Sequence, residues 1–173
     1  MLTRLSKCKA TSITSKNASD RVEPIKIIRK FFDYIKNGCE VGTGGRILKL
    51  MFPEFDIKRR YGMKETTLKP ILKTLLNVDL SSDNNCLGSI VEHELSIKCS
   101  TSIFRQISIK RVDELLDELA ARCVWSCESV KAKRSKRSKE SILSDLLSGL
   151  HPIEVGFLVQ VSNNFFLNND IIN

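Results

Sequence analysis

The segment from Arg46 to Leu68, RILKLMFPEFDIKRRYGMKETTL, constrains the fold of this chain more than any other part of its sequence. Apolar residues recur at helical spacing up to Pro53, which ends the first helix because proline has no amide hydrogen to donate. A dense basic cluster follows, and a second helix begins near Lys64. Buried packing beside clustered positive charge is what a helical nucleic-acid-binding module needs.

Helical spacing of apolar residues continues along most of the chain, and no segment alternates as a strand would. We therefore predict an all-α fold. Ser108 is predicted to cap the helix that follows it. Met63, Trp125 and the phenylalanines are predicted to be packing residues and not a base-stacking platform. The predicted helices cover residues 21–38, 46–52, 64–76, 87–98, 112–123, 141–150 and 152–161.

Length and composition limit the class of protein. The 173 residues suffice for one domain with a buried core, and the net charge of +8 favours a polyanionic partner. No apolar run approaches the roughly 20 residues of a membrane span. We therefore expect no membrane partner. The six cysteines lack a zinc-site spacing and follow no secretory signal, so we expect reduced thiols and no metal site.

Charge distribution suggests the domain boundaries. We predict a basic N-terminal arm over residues 1–20, a helical domain over 21–161 and a divergent, truncated tail over 162–173. A mitochondrial transit peptide is the alternative for residues 1–19, although the arm is preferred. Residues 128–140 are predicted to form a basic, flexible loop. Its KAKRSKRSK run has two functional interpretations, a nuclear-import signal or a tether to DNA. The alternative is a loop that only increases solubility.

Several motifs occur in the order of a known family. They are RLSKCK at residues 4–9, IRKFFDY at 28–34, LKLMFP at 48–53, RYGMKETTL at 60–68 and ISIKRVDELLDELAA at 107–121. Together they resemble the N-terminal DNA-binding domain of ATP-dependent DNA ligases, and most closely that of DNA ligase IV. RYGMKETTL is the most specific of them.

The resemblance implies an all-helical domain that holds double-stranded or nicked DNA across the minor groove, independently of sequence. It further implies a nuclear role in recombination and in double-strand-break repair by end joining. In such ligases, ATP and magnesium bind a separate nucleotidyltransferase domain, where the lysine of Lys-x-Asp-Gly is adenylated. This sequence contains no Lys-x-Asp-Gly, so we expect no cofactor and no sealing by this chain alone.

The end of the sequence departs from the family pattern. Residues 164–169 read NFFLNN where the family has Lys-Asp-Leu-Lys-Leu-Gly. We therefore expect a partial domain, whether a truncated product, an incomplete gene model or a degenerated copy.

Six basic residues are candidate DNA contacts. Lys7 and Lys9 match the basic end of the family's first helix, unless they belong to an arm without a defined partner. The next three, Lys58, Arg59 and Arg60, form a basic cluster. The alternative to DNA contact is that this cluster is a solvated face. The sixth, Lys64, lies in the RYGMKETTL motif.

Local alternatives exist for two of these candidates. Arg60 has Glu65 nearby as an ion-pair partner, and Lys64 has a structural interpretation that we prefer. In that interpretation Gly62 permits a sharp turn, and Glu65 in the first helical turn interacts favourably with the helix dipole.

A protein-interaction module without DNA affinity remains the alternative function. The aromatic segment Arg29–Tyr34 motivates it. The resemblance implies that the N-terminal helices of such a ligase dock a repair nuclease of the Artemis type.

Overall fold

The computed structural model describes residues 18–81, 86–98 and 104–163. All regular structure in these ranges is helical, without a strand, and the predicted all-α class is confirmed. A 3-10 turn, Pro53–Phe55, separates the second and third helices. The helices are α1 (Ala18–Gly38), α2 (Thr43–Met51), α3 (Glu65–Leu76), α4 (Leu87–Lys98), α5 (Ile109–Ala120), α6 (Glu128–Lys131), α7 (Lys139–Leu147) and α8 (Pro152–Asn163).

The helix ends show where local chemistry sets a boundary. Ser108 caps α5 as predicted, because its hydroxyl accepts a hydrogen bond from the Arg111 amide at 3.1 Å. The cap starts α5 at Ile109, three residues before the predicted start, and the helix ends at Ala120 instead of Cys123. Helix α4 covers the predicted range, whereas α2 begins at Thr43, inside the predicted loop.

The chain divides into two compact units, residues 1–45 and 46–173. In the described part of the first unit, α1 carries the predicted apolar residues, and the rings of Phe31 and Phe32 meet edge to face. Several large side chains of α1 are nevertheless exposed, among them Ile25, Phe32 and Tyr34.

Helix α5 contributes one apolar stripe to the core of the second unit, since Val112, Leu115, Leu116 and Leu119 are all buried. Burying each side chain contributes about 1.5–3 kcal/mol before conformational entropy is subtracted. Ile97 lies outside this core, because it is in the last turn of α4 and is 62% exposed. The core is completed by Leu68 and Leu72 of α3, Leu87, Ile90 and Val91 of α4, Ile142, Leu143, Leu146 and Leu147 of α7, and Val155, Leu158, Val159 and Val161 of α8.

Two glycines let α4 and α8 approach each other backbone to backbone. A Cβ atom built on Gly156 lies 2.7 Å from the carbonyl oxygen of Gly88 and 2.9 Å from the Cβ of Glu92. Any larger residue at Gly156 therefore has to push the two helices apart. No helix in the described ranges is long and apolar enough to cross a membrane.

The segment predicted as a flexible basic loop contains regular structure and ion pairs. Helix α6 occupies its start, and Lys133 contacts a carboxylate oxygen of Asp117 at 2.5 Å. Arg137 contacts Asp145 at 2.7 Å and Glu118 at 3.5 Å. Part of its positive charge is therefore neutralised within the second unit. The predicted domain boundaries stay predictions.

Candidate nucleic-acid interface

The predicted basic cluster lies in the segment of residues 56–64, between the 3-10 turn and α3. Burial alternates from residue 58 to residue 64. Arg59, Tyr61 and Met63 are buried, while Lys58 and Lys64 are exposed. The segment therefore has an inner side and an outer side, and the two sides carry different chemistry.

On the inner side, Arg59 joins three carboxylates in what we call the Arg59 cluster: Arg59, Asp56, Asp113 and Asp117. The Arg59 side chain is 3% exposed, and its Nε lies 2.6 Å from Asp117 and 3.5 Å from Asp56. Its Nη2 atom donates to Asp113. The two acids of α5 stand one helical turn apart, so the guanidinium fork reaches both.

The chemistry of the Arg59 cluster keeps the arginine charged. Burial acts to lower the pKa of Arg59, but the hydrogen bond to Asp113 and the surrounding negative charge outweigh it and raise that pKa. The guanidinium is thus enclosed and already bound by carboxylates. The DNA contact of Arg59 stays a prediction, and the structure shows its donors turned toward carboxylates of the second unit.

Tyr61 and Met63 anchor the segment from the same inner side. Met63 is fully buried, which confirms its predicted packing role. Burial raises the pKa of the Tyr61 phenol, so this group is neutral at physiological pH. Between them, Gly62 has φ +59, and a Cβ there lies 2.8 Å from the Cys123 sulfur. This left-handed conformation favours glycine, and a larger residue here is strained.

On the outer side, Lys58, Arg60 and Lys64 remain as candidate DNA contacts. Lys58 and Lys64 are exposed and form no ion pair among the described residues, and Arg60 is partly buried. Lys64 also occupies the N-cap position of α3, with Glu65 in the first turn, as the structural interpretation predicts. Glu65 pairs with Lys69 at 2.9 Å. Lys7 and Lys9 lie outside the described residues.

Sequence reasoning missed an exposed turn beside this segment. The turn comprises Cys123–Ser126, closed by a 3.2 Å hydrogen bond from the Ser126 amide to the Cys123 carbonyl, and we call it the Trp125 turn. Trp125 is 79% exposed and Val124 73%, so the predicted packing role of Trp125 is wrong. Phe55, at 78% exposure, is also outside the core. The signal in the sequence was the position of Trp125, which comes after the end of the α5 stripe and is therefore not part of that buried face.

The chain was compared with models of known protein families. The sequence model of the family described as DNA ligase N terminus matches residues 4–163. The matched range contains the 56–64 segment, the Arg59 cluster and the Trp125 turn. No curated protein matches the chain.

Proposed function

Because the chain belongs to the DNA ligase N-terminus family, the DNA-binding portion of ATP-dependent ligases, we propose that it grips duplex DNA around a strand break. The observation that supports this most directly is the division of the 56–64 segment. Arg59 fixes the backbone from inside, and Lys58 and Lys64 extend outward from that fixed backbone.

The grip that we propose is electrostatic. Lysine side chains contact backbone phosphates and displace the counterions condensed on DNA, so the affinity falls steeply as salt rises. Phosphate contacts carry no sequence information, and binding is therefore independent of base sequence. The net charge of +8 adds a long-range attraction toward the negatively charged DNA.

We further propose a ligase IV-like role, in the nucleus, in end joining of double-strand breaks and in recombination. The support is the ordered set of motifs, above all RYGMKETTL at residues 60–68. We propose no ATP or magnesium site for this sequence, because it contains no Lys-x-Asp-Gly for adenylation.

The experiment compares Lys58→Ala and Lys64→Ala with Lys131→Ala. Lys131→Ala is the matched control. It removes the same formal charge, but from a lysine that already pairs with Glu128 at 2.8 Å. Binding of dye-labelled nicked duplex is followed by fluorescence anisotropy between low and physiological salt. Each of the first two variants is expected to weaken binding to all sequences alike and to lower the slope of log affinity against log salt by about one.

Two results contradict the proposal. One is an absence of nicked-duplex binding at the lowest salt. The other is equal weakening by Lys131→Ala and Lys58→Ala, because the outer side of the segment then has no special part in binding.

A second candidate function rests on α1. Ile25, Phe32 and Tyr34 expose 57%, 41% and 67% of their surface, which favours docking of a protein such as a repair nuclease of the Artemis type. Tyr34→Ser is expected to abolish capture of that nuclease while leaving nicked-duplex binding intact. If the chain is a DNA binder, reversing the charges of Lys58 and Lys64 is expected to weaken nicked-duplex binding and to leave capture of the nuclease intact.

A further inference from the structure

The Trp125 turn places its largest apolar residues where turns usually carry small or polar ones. Val124 and Trp125 occupy the two central positions between Cys123 and Ser126. Glycine, proline, asparagine, aspartate and serine dominate such positions for reasons of backbone geometry and solvation. An indole and a branched aliphatic side chain held in water break this local rule. Violations of local rules concentrate at functional sites.

The turn is held by several contacts. The hydroxyl of Ser126, which has one proton to donate, lies 2.7 Å from the Ala120 carbonyl oxygen and 2.9 Å from that of Arg60, and it accepts from the Arg60 amide at 3.0 Å. Cys123 is buried against Gly62, and the Cys127 amide donates to the Lys58 carbonyl at 3.1 Å. Because the backbone is fixed beforehand, a ligand of Trp125 does not have to order it.

These same contacts place the Trp125 turn beside the outer side of the 56–64 segment. The backbone of Lys58 and Arg60 bonds directly to Cys127 and Ser126. Lys58 is exposed and forms no ion pair among the described residues. The first acidic residue after Trp125 is Glu128, and its carboxylate pairs with Lys131. The segment that carries the exposed indole is therefore hydrogen-bonded to the backbone of a lysine that is predicted to contact phosphate.

This arrangement matches the chemistry of an unpaired nucleotide. A base that has lost its partner offers an apolar π face to an aromatic side chain, and its phosphate offers a negative charge to a neighbouring lysine. A protein partner of the same turn needs acids for Lys58 as well as an apolar pocket for the indole. DNA supplies both features within one nucleotide and is already the ligand of the proposed function.

We propose that Trp125 stacks on an unpaired base at a DNA end while Lys58 holds the adjacent phosphate. This inference rests on the proposed function and deepens it. Phosphate contacts hold any duplex, whereas the Trp125 turn distinguishes a broken or frayed end from continuous, fully paired DNA.

The test uses the indole itself as the probe, because Trp125 is the single tryptophan of the chain. Indole emission is titrated with two DNAs of equal phosphate number, a fully paired nicked duplex and a duplex with a four-thymine overhang. Anisotropy of a dye on the same DNAs measures binding independently of the indole. The variants are Trp125→Ala, Trp125→Phe and, as a control within the same turn, Val124→Ala.

The expected result is quenching of the indole by the overhang and little change with the paired duplex. Trp125→Ala is expected to weaken overhang binding about tenfold, in line with the loss of one stacked base, and paired-duplex binding less than twofold. Trp125→Phe keeps most of the overhang affinity because its ring also stacks, and Val124→Ala keeps nearly all of it. Circular dichroism confirms that each variant is folded.

Three results overturn the inference, and they are distinguishable. If the overhang binds without quenching and Trp125→Ala has no effect, the stacking is refuted while the proposed function stands. If neither DNA binds at low salt, the proposed function fails and the inference with it. If the indole is shielded from acrylamide without DNA, and Trp125→Ala dissociates a dimer in sedimentation, the turn is a protein contact.

Discussion

Removing Arg59 tests whether the Arg59 cluster holds the 56–64 segment in place. Arg59→Ala leaves Asp117 and Asp113 in the interior without their guanidinium, and breaking a buried ion pair in this way costs about 3–5 kcal/mol. Two secondary partners moderate the loss: Lys133 remains 2.5 Å from Asp117, and Arg46 remains 3.6 Å from Asp113. We therefore expect a decrease in the free energy of unfolding near 3 kcal/mol.

A loss of this size is easily measured. Small domains have unfolding free energies of about 5–15 kcal/mol, so the variant loses a large part of its stability. With a urea dependence of about 2 kcal/mol per molar, the unfolding midpoint falls by about 1.5 M. Equilibrium urea unfolding followed by circular dichroism is the assay. Arg59→Lys, which keeps the charge without the planar fork, is expected to lose about half as much.

The matched control is Lys58→Ala, which removes a cation from the adjacent residue on the outer side. It is expected to change the unfolding free energy by less than about 0.5 kcal/mol, as exposed substitutions do. If Arg59→Ala is no more destabilising than Lys58→Ala, then Arg59 does not secure the segment. The structural role that we assign to the Arg59 cluster is then refuted.

Two further predictions concern helix packing and catalysis. Gly156→Ala forces its new methyl group against the Gly88 carbonyl and should lower the free energy of unfolding by about 1–3 kcal/mol in urea denaturation. The control Gly45→Ala, in the interior of α2 with no atom within 4 Å of the added Cβ, should leave the free energy unchanged or raise it by up to about 1 kcal/mol. Incubation with radiolabelled ATP should leave no label on the protein, because no Lys-x-Asp-Gly is present. An adenylated lysine found by mass spectrometry contradicts that expectation.

The helices were predictable because periodicity and caps are local properties of the sequence. The α5 stripe Val112, Leu115, Leu116 and Leu119 repeats at helical spacing, and only one face of that helix can be buried. Ser108 marks the start of α5 by a hydrogen bond three residues away. The errors at the ends of α2 and α5 are of the size expected where helix ends depend on the cap and the turn beyond it.

The interior position of Arg59 was not predictable from local pattern. Its partners Asp113 and Asp117 are more than fifty residues away in sequence, and only the packing of α5 against the 56–64 segment brings them together. A run of three basic residues alone predicts one exposed cluster. In the structure the run is divided, since Lys58 is exposed, Arg59 is buried and Arg60 is partly buried.

The same division explains why charge alone cannot identify a DNA-binding surface. Arg59 and Lys131 each count once toward the net charge of +8, yet carboxylates of this chain already neutralise both. Lys58 contributes the same formal charge and keeps it facing solvent. An ion-paired arginine must lose its carboxylates before it can bind a phosphate, whereas a solvated lysine loses only water and counterions. We therefore expect affinity for DNA to follow the number of solvent-facing cations without an acidic partner, with the Arg59 cluster fixing the backbone that presents them.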